Sequence, residues 1–350
     1  MIVGVLLAGG VLLGMTALAV DVGLLYAERE ELQSGADAAA MAVALDCARR
    51  RPACSTAGVR TTAERLATEN ARDGFADALT VCGRDGRGPL TRCPSAGGTN
   101  LVDCLGVRST AGTNYVEVRT TTQTDDGTLL PPAFAHAVVP GYEGTTVGAC
   151  ARVAWGVPRA AGLGVTISAC EWRGATADGT RYAPAPPAVV RESDGFEQVL
   201  LLRDPRTGGS CPGGPAGWDR PGVFGWLDVN GLCRLTTVPD WYWGDAGSPS
   251  LTCRNALSAA VGRITMIPVY DVTFGNGVNT LYRLYGIAAF VVTGFRVPGR
   301  TADSTVTGDP PCGTGESCVS GYFVEAVLDW TDDVDDGLPP LGAVAVKTIA

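Results

Sequence analysis

The first twenty residues, Met1 to Val20, carry no charge. At about 1.5 Å per helical residue they reach roughly 30 Å, the thickness of a bilayer core. The pattern then changes without a break. From Asp21 to Leu45 apolar positions recur at helical spacing among Glu, Arg and Gln, with Leu25, Leu32, Ala36, Ala40 and Val43 near one face. Gly23 is the one weak helix former in the first part of that stretch. The pattern predicts a single helix of about 45 to 50 residues, far beyond the usual globular length, with a transmembrane half followed by an amphipathic half. A cleaved signal peptide would need a basic n-region and a small-residue cleavage site. No Lys or Arg precedes the run, so the expectation is a retained single-pass anchor.

Small residues lie at helical spacing along this helix. Gly10 and Gly14 form a G-x-x-x-G pair, and Ala36, Ala40 and Ala44 continue the spacing in the polar half. Such faces let helix backbones approach closely, although ordinary glycine and alanine abundance explains them equally well. Asp21 stands where the two halves meet. A carboxylate is costly inside lipid, and at the membrane boundary it needs no special function.

Beyond the helix the period shortens. Thr61-Thr62-Ala63-Glu64 fits a capping box and Gly74 a C-terminal cap, predicting a second helix from Thr62 to Asp73. Residues 83–106 are rich in Gly, Pro and Cys and read as loop. Alternation over Asn114–Thr124 and again around Val147–Val157 predicts strands, separated by the proline-containing Leu129–Ala135. Pro158–Gly162 is the best domain boundary. A short strand is expected at Val199–Arg203. Three Val/Ile/Tyr/Phe-rich runs follow, Ile264–Phe274, Leu281–Val297 and Tyr322–Trp330, the first two joined by an Asn276-Gly277 turn. Together they read as an antiparallel sheet. The expected fold class is α+β: a long N-terminal helix followed by a disulfide-rich, mainly antiparallel β region. The expected domains are 1–50, 51–158 and 159–350.

Composition sharpens this. Twelve cysteines, at 47, 54, 82, 93, 104, 150, 170, 211, 233, 253, 312 and 318, stand in a loop-rich chain with no C-x-x-C spacing and one histidine. That pattern indicates disulfides and an oxidising compartment, with free core thiols as the alternative, and lacks the ligand spacing of a zinc site. Local spacing pairs Cys312 with Cys318 and Cys233 with Cys253. The disulfide-rich bulk then faces outward and the N-terminus inward. The net charge of −9 argues against nucleic acid as a partner, since phosphate binding needs a basic patch.

Motifs for catalysis are sparse. His136 lies in an apolar stretch, and no G-x-S-x-G elbow accompanies it, so it reads as a packed or surface histidine. Gly275-Asn276-Gly277 lacks the third glycine of a dinucleotide site. Asp332, Asp333, Asp335 and Asp336 form an acidic cluster whose order does not fit an EF-hand loop. A spatial pair of carboxylates for sugar hydrolysis leaves no sequential trace. Trp218, Trp226, Trp241 and Trp243 crowd one segment, where they either pack in the core or bind sugar.

Several words of the chain resemble the TadE/TadG-like family of tight-adherence (Flp) pilus proteins in its actinobacterial form. They are Leu18–Tyr26 (LAVDVGLLY), Glu31–Ala40 (ELQSGADAAA), Gly127–Pro132 (GTLLPP), Gly148–Ala151 (GACA), Ile167–Trp172 (ISACEW), Gly286–Phe295 (GIAAFVVTGF) and Cys318–Phe323 (CVSGYF). The resemblance implies a membrane-anchored minor pilin or pilus-assembly component, structural and without cofactor. Its partners would be the bilayer and other Tad/Flp proteins, met through the N-terminal helix. Some relatives carry a D-x-S-x-S metal site that is absent here, so metal-dependent adhesion is not carried over. Residue 5 is Val5 where many mature pilins have glutamate, so prepilin-peptidase processing is not carried over either. The alternative is an anchored extracellular adhesin whose Trp218–Trp243 segment binds a surface glycan.

Overall fold

The computed structural model describes residues 2–49, 51–86, 88–94, 104, 114–124, 127–137, 139–201, 224–227, 231–235, 241–245, 249–275, 280–329, 334–335 and 338–349. Within α1, the side chains of 2–3 and 5–11 lie outside the described set. In chain order the elements are α1 (Ile2–Ala48), α2 (Thr56–Asn70), β1 (Ala76–Arg84), β2 (Asn114–Thr122), a 3-10 turn (Ala135–Ala137) and β3 (Gly148–Pro158). There follow β4 (Val165–Ser168), α3 (Ala169–Thr176), β5 (Gln198–Leu201), β6 (Phe224–Leu227), β7 (Trp241–Asp245) and α4 (Leu251–Ala260). The last are β8 (Ile264–Phe274), β9 (Leu281–Val297), β10 (Arg300–Ala302), β11 (Cys318–Phe323), β12 (Ala326–Asp329), β13 (Val334–Asp335) and β14 (Ala343–Thr348). This is a mixed α+β chain with a long N-terminal helix and a sheet-rich C-terminal region. It forms two compact units, Met1–Trp155 with Val346–Ala350, and Gly156–Ala345.

In the first unit α1 runs unbroken for 47 residues, roughly 70 Å at helical rise. Among the described residues no helix is long and apolar enough to cross a membrane. The anchor expected over Met1–Val20 falls largely on side chains outside that set. The polar half buries Leu32, Ala36, Ala39, Ala40, Val43 and Ala44, a stripe at i, i+4 and i+7 spacing. This stripe packs on α2 and β2. The approach to α2 is close: a Cβ at Gly35 would lie 3.1 Å from the Ala67 Cα. Antiparallel β1, β2 and β3 form the sheet, with Glu117 opposite Arg152 and Val118 opposite Ala151. β14 continues it beside β3.

The start of α2 corrects the sequence expectation. Ser55 is the cap, its hydroxyl accepting from the Gly58 N–H at 3.1 Å, and Thr61–Glu64 lies inside the helix. The Cys47–Cys54 disulfide and the Arg51–Cys54 turn reverse the chain, so the first serine after the turn takes the cap. The helix ends at Asn70 rather than Asp73, with the Ala71 N–H donating to the Thr68 carbonyl. β1 lies partly in the segment expected to be loop. A bulge between Asp77 and Thr80 interrupts the register that would have betrayed it.

In the second unit β8 pairs along its length with the Leu281–Val291 part of β9, and the ends of both strands match the two hydrophobic runs. The other edge of β9 serves two partners, β7 through 281–283 and β11 through 290–296. Since β7 pairs β6, β6 pairs β4, and β4 runs parallel to β8, the ring β9–β7–β6–β4–β8 closes on itself. Closure removes the open edges that a sheet would otherwise expose. Tyr270, Ile267, Ile287, Phe290 and Phe295 fill the core with Leu257 of α4. Sequence patterning passed over α3 and α4. Each is short and starts at a serine cap, Ser168 accepting from the Glu171 N–H and Ser250 from the Cys253 N–H. The run expected over Tyr322–Trp330 divides into β11 and β12.

Candidate functional site

Asp21 is buried, and its partners come from 112 to 114 residues away. Its Oδ1 accepts from the N–H of Ala133 at 2.9 Å and of Phe134 at 3.1 Å; its Oδ2 accepts from Phe134 at 3.1 Å and from Ala135. The local sequence builds this cradle. Pro131 and Pro132 have no N–H and favour extended backbone, so the next three donors are unclaimed by a ladder. The segment is held at one end by reciprocal backbone bonds between Leu130 and Thr145, and at the other by the 3-10 turn at Ala135–Ala137. Successive N–H groups aimed at one point make an anion-binding concavity, here filled by the protein's own carboxylate. The residue expected to mark a membrane boundary is seen to tie α1 to a distant loop.

A cleft of about 340 Å³ opens beside this latch, lined by Asp21, Leu24, Leu25, Glu28, Pro131 and Tyr142 among others. Glu31 lines it too, and is engaged by Arg72 through the backbone N–H at 2.8 Å and the guanidinium at 3.3 Å. Burial pushes Glu28 above the usual carboxylate range; a hydrogen bond from Thr122 opposes the shift, while Asp73 and Glu31 add to it. Asp37 is raised as well, chiefly by burial.

The small residues of α1 part company. Ala36 and Ala40 are fully buried within the first unit and face its own chain. Gly14 has open space around it, and Gly10 lies outside the described side chains. From Leu12 to Tyr26 the helix exposes Leu13, Met15, Leu18, Val22 and Leu24, and on the capturing loop Leu129, Phe134 and Val139 are also exposed.

Five disulfides are described: Cys47–Cys54, Cys82–Cys93, Cys104–Cys150, Cys233–Cys253 and Cys312–Cys318. Cys170 is also disulfide-bonded, and Cys211 lies outside the described residues. Closing the 46-residue Cys104–Cys150 separation is worth roughly 4 kcal/mol in a chain-entropy model. Three clusters bring a carboxylate within 4.8 Å of two cysteine sulfurs, at Asp85 and on either side of Glu117. Every one of those cysteines is oxidised, so none offers the thiolate that a metal needs.

Glu117 left no signal in the sequence. Only 1% exposed, it sits on β2 between Arg119, two residues on, and Arg152, directly opposite on β3. Oε1 accepts from Arg119 Nε at 2.7 Å and Oε2 from Arg152 Nε at 2.9 Å. The Arg152 guanidinium lies over the Tyr115 ring at 4.7 Å. Two guanidinium groups hold the carboxylate as a spent ion, suited to fixing strand register. Period-2 reading assigns Glu117 to a face but cannot show that its cross-strand neighbour is an arginine. His136, in the 3-10 turn, is exposed. Of the tryptophans in the crowded segment, Trp226 is buried, Trp241 and Trp243 are exposed, and Trp218 lies outside the described residues. Of the acidic cluster, Asp332, Asp333 and Asp336 also lie outside them.

Residues 1–46 match the Tad family model, Flp pilus-assembly TadE/G-like. The match covers α1 up to two residues from its end and includes Asp21. No curated protein and no solved structure matches the chain.

Proposed function

We propose that this protein is a membrane-anchored, non-catalytic component of a tight-adherence pilus, either a minor pilin or an assembly factor. The observation that carries the reading is the coincidence of the family match with α1, whose first half is uncharged and whose second half is the spine of a folded unit. The first half, with Gly10 and Gly14, meets the bilayer before assembly and other pilus helices after it. Ala36 and Ala40 are committed to intrachain packing and take no part in that contact. The disulfide-bonded units face the extracellular side, consistent with the oxidised cysteines.

Mechanical shearing of cells, followed by intact mass measurement of this protein in the sheared and membrane fractions, tests the reading. Recovery in sheared filaments with the Met1–Val20 helix retained is expected of a pilin, and recovery in the membrane alone of an assembly factor. Recovery as a freely soluble protein, in neither fraction, defeats both.

A further inference from the structure

The outer face of the ring in the second unit carries an aromatic shelf. Strand register places Trp243 of β7 and Phe274 of β8 on either side of Leu281 of β9, three side chains in one row. The next row holds Trp241 opposite Arg283. Trp241 and Trp243 are two residues apart and therefore share a face. Their exposures are 38% and 56%, and that of Phe274 is 59%. The Trp241 and Phe274 rings meet with centroids 5.3 Å apart and planes tilted by 39°. Exposed aromatic rings gathered on the two strands that flank this end of β9 leave unburied the residues that folding gains most by burying.

The polar edge of the shelf narrows the choice of ligand. Arg283 donates from Nε to Asp271 Oδ1 at 2.7 Å and from Nη2 to Oδ2 at 2.5 Å. Asp271 is buried and cancels the guanidinium charge, so an anion gains little here. Arg283 is 44% exposed in its side chain, and the bidentate pair occupies only part of its fork of donors. A flat ring surface beside a neutralised, fixed donor fork suits a pyranose. The C–H face of the sugar meets the negative ring faces, and its hydroxyls meet the guanidinium edge. Size points the same way. At about 150–250 Å² per aromatic side chain, the exposed part of the three rings is roughly 300 Å², well short of the ~800 Å² per partner in a stable protein interface.

We propose that Trp241, Trp243 and Phe274, edged by Arg283, form a binding site for a neutral polysaccharide. The test is titration of the full chain with cellohexaose, maltohexaose, mannohexaose and xylohexaose, read by calorimetry. Saturable binding of at least one is expected. Trp241→Ala and Trp243→Ala should each weaken it by about tenfold, with thermal stability retained because both side chains are exposed. Trp243→Phe should keep part of the affinity, and Phe75→Ala, an exposed aromatic in the other unit, should leave it unchanged. No binding by any hexaose, or equal binding by wild type and both alanine variants, overturns the proposal. So does sedimentation showing that the two substitutions abolish self-association while sugar binding persists.

Discussion

At the residue scale, Asp21 shows how one carboxylate in an apolar environment is satisfied. Three backbone N–H groups converge on it, so a charge that is costly in low dielectric is compensated without a basic side chain. Asp21→Ala should cost about 1–3 kcal/mol by leaving those donors unpaired. Amide hydrogen exchange at Ala133–Ala135 should accelerate in that variant; unchanged protection would mean that the turn holds itself. Glu28 makes a different prediction. Burial raises its pKa above the ordinary 4.5, so the folded chain keeps this proton to higher pH than the unfolded chain does. Its contribution to stability is therefore best below pH 4.5 and is lost as pH rises through the raised value. Glu28→Gln should flatten that loss, seen as a smaller fall in urea midpoint between pH 4.5 and neutrality. An identical pH profile in the variant would remove Glu28 as its source.

At the element scale, α1 and α2 approach closely at Gly35. The Cβ of any substitute at Gly35 meets Ala67 backbone at 3.1 Å for Cα and 3.3 Å for the carbonyl oxygen, and backbone cannot rotate out of the way. Gly35→Leu should lower stability by about 1–3 kcal/mol through overpacking. A melting temperature equal to wild type would show that the two helices are free to separate. Elements differed in how well they could be read. The sequence placed β8 and β9 to the residue because both are long and bounded by turn residues. It misplaced the start of α2 because two cap-forming segments, Ser55 and Thr61–Glu64, lay within a turn or two of each other. α3 and α4 are too short to show a period above their surroundings.

At the scale of the whole molecule, α1 does two jobs along one axis. Its polar half is the core helix of the first unit, and from Leu12 to Leu24 it exposes apolar side chains near the loop that Asp21 captures. The family match falls on this helix, while the second unit, with the ring and the aromatic shelf, lies beyond the matched residues. In the two proposals above, attachment falls to the first unit and ligand contact to the second. The shearing experiment reads the first and the sugar titration the second, so either can fail alone.

What residue order determined by itself was whatever depends on near neighbours. The uninterrupted helix, the long strands, the short-range pairings Cys233–Cys253 and Cys312–Cys318, and the uncharged first twenty residues all follow from local spacing. The latch at Asp21, the ion cluster at Glu117, the inward use of Ala36 and Ala40, and the division of the tryptophans between core and surface depend on partners brought together by folding. Periodicity reports that a face exists. What that face meets is set by chain segments tens of residues or more than a hundred away, whose approach is decided by packing and hydrogen-bond satisfaction together.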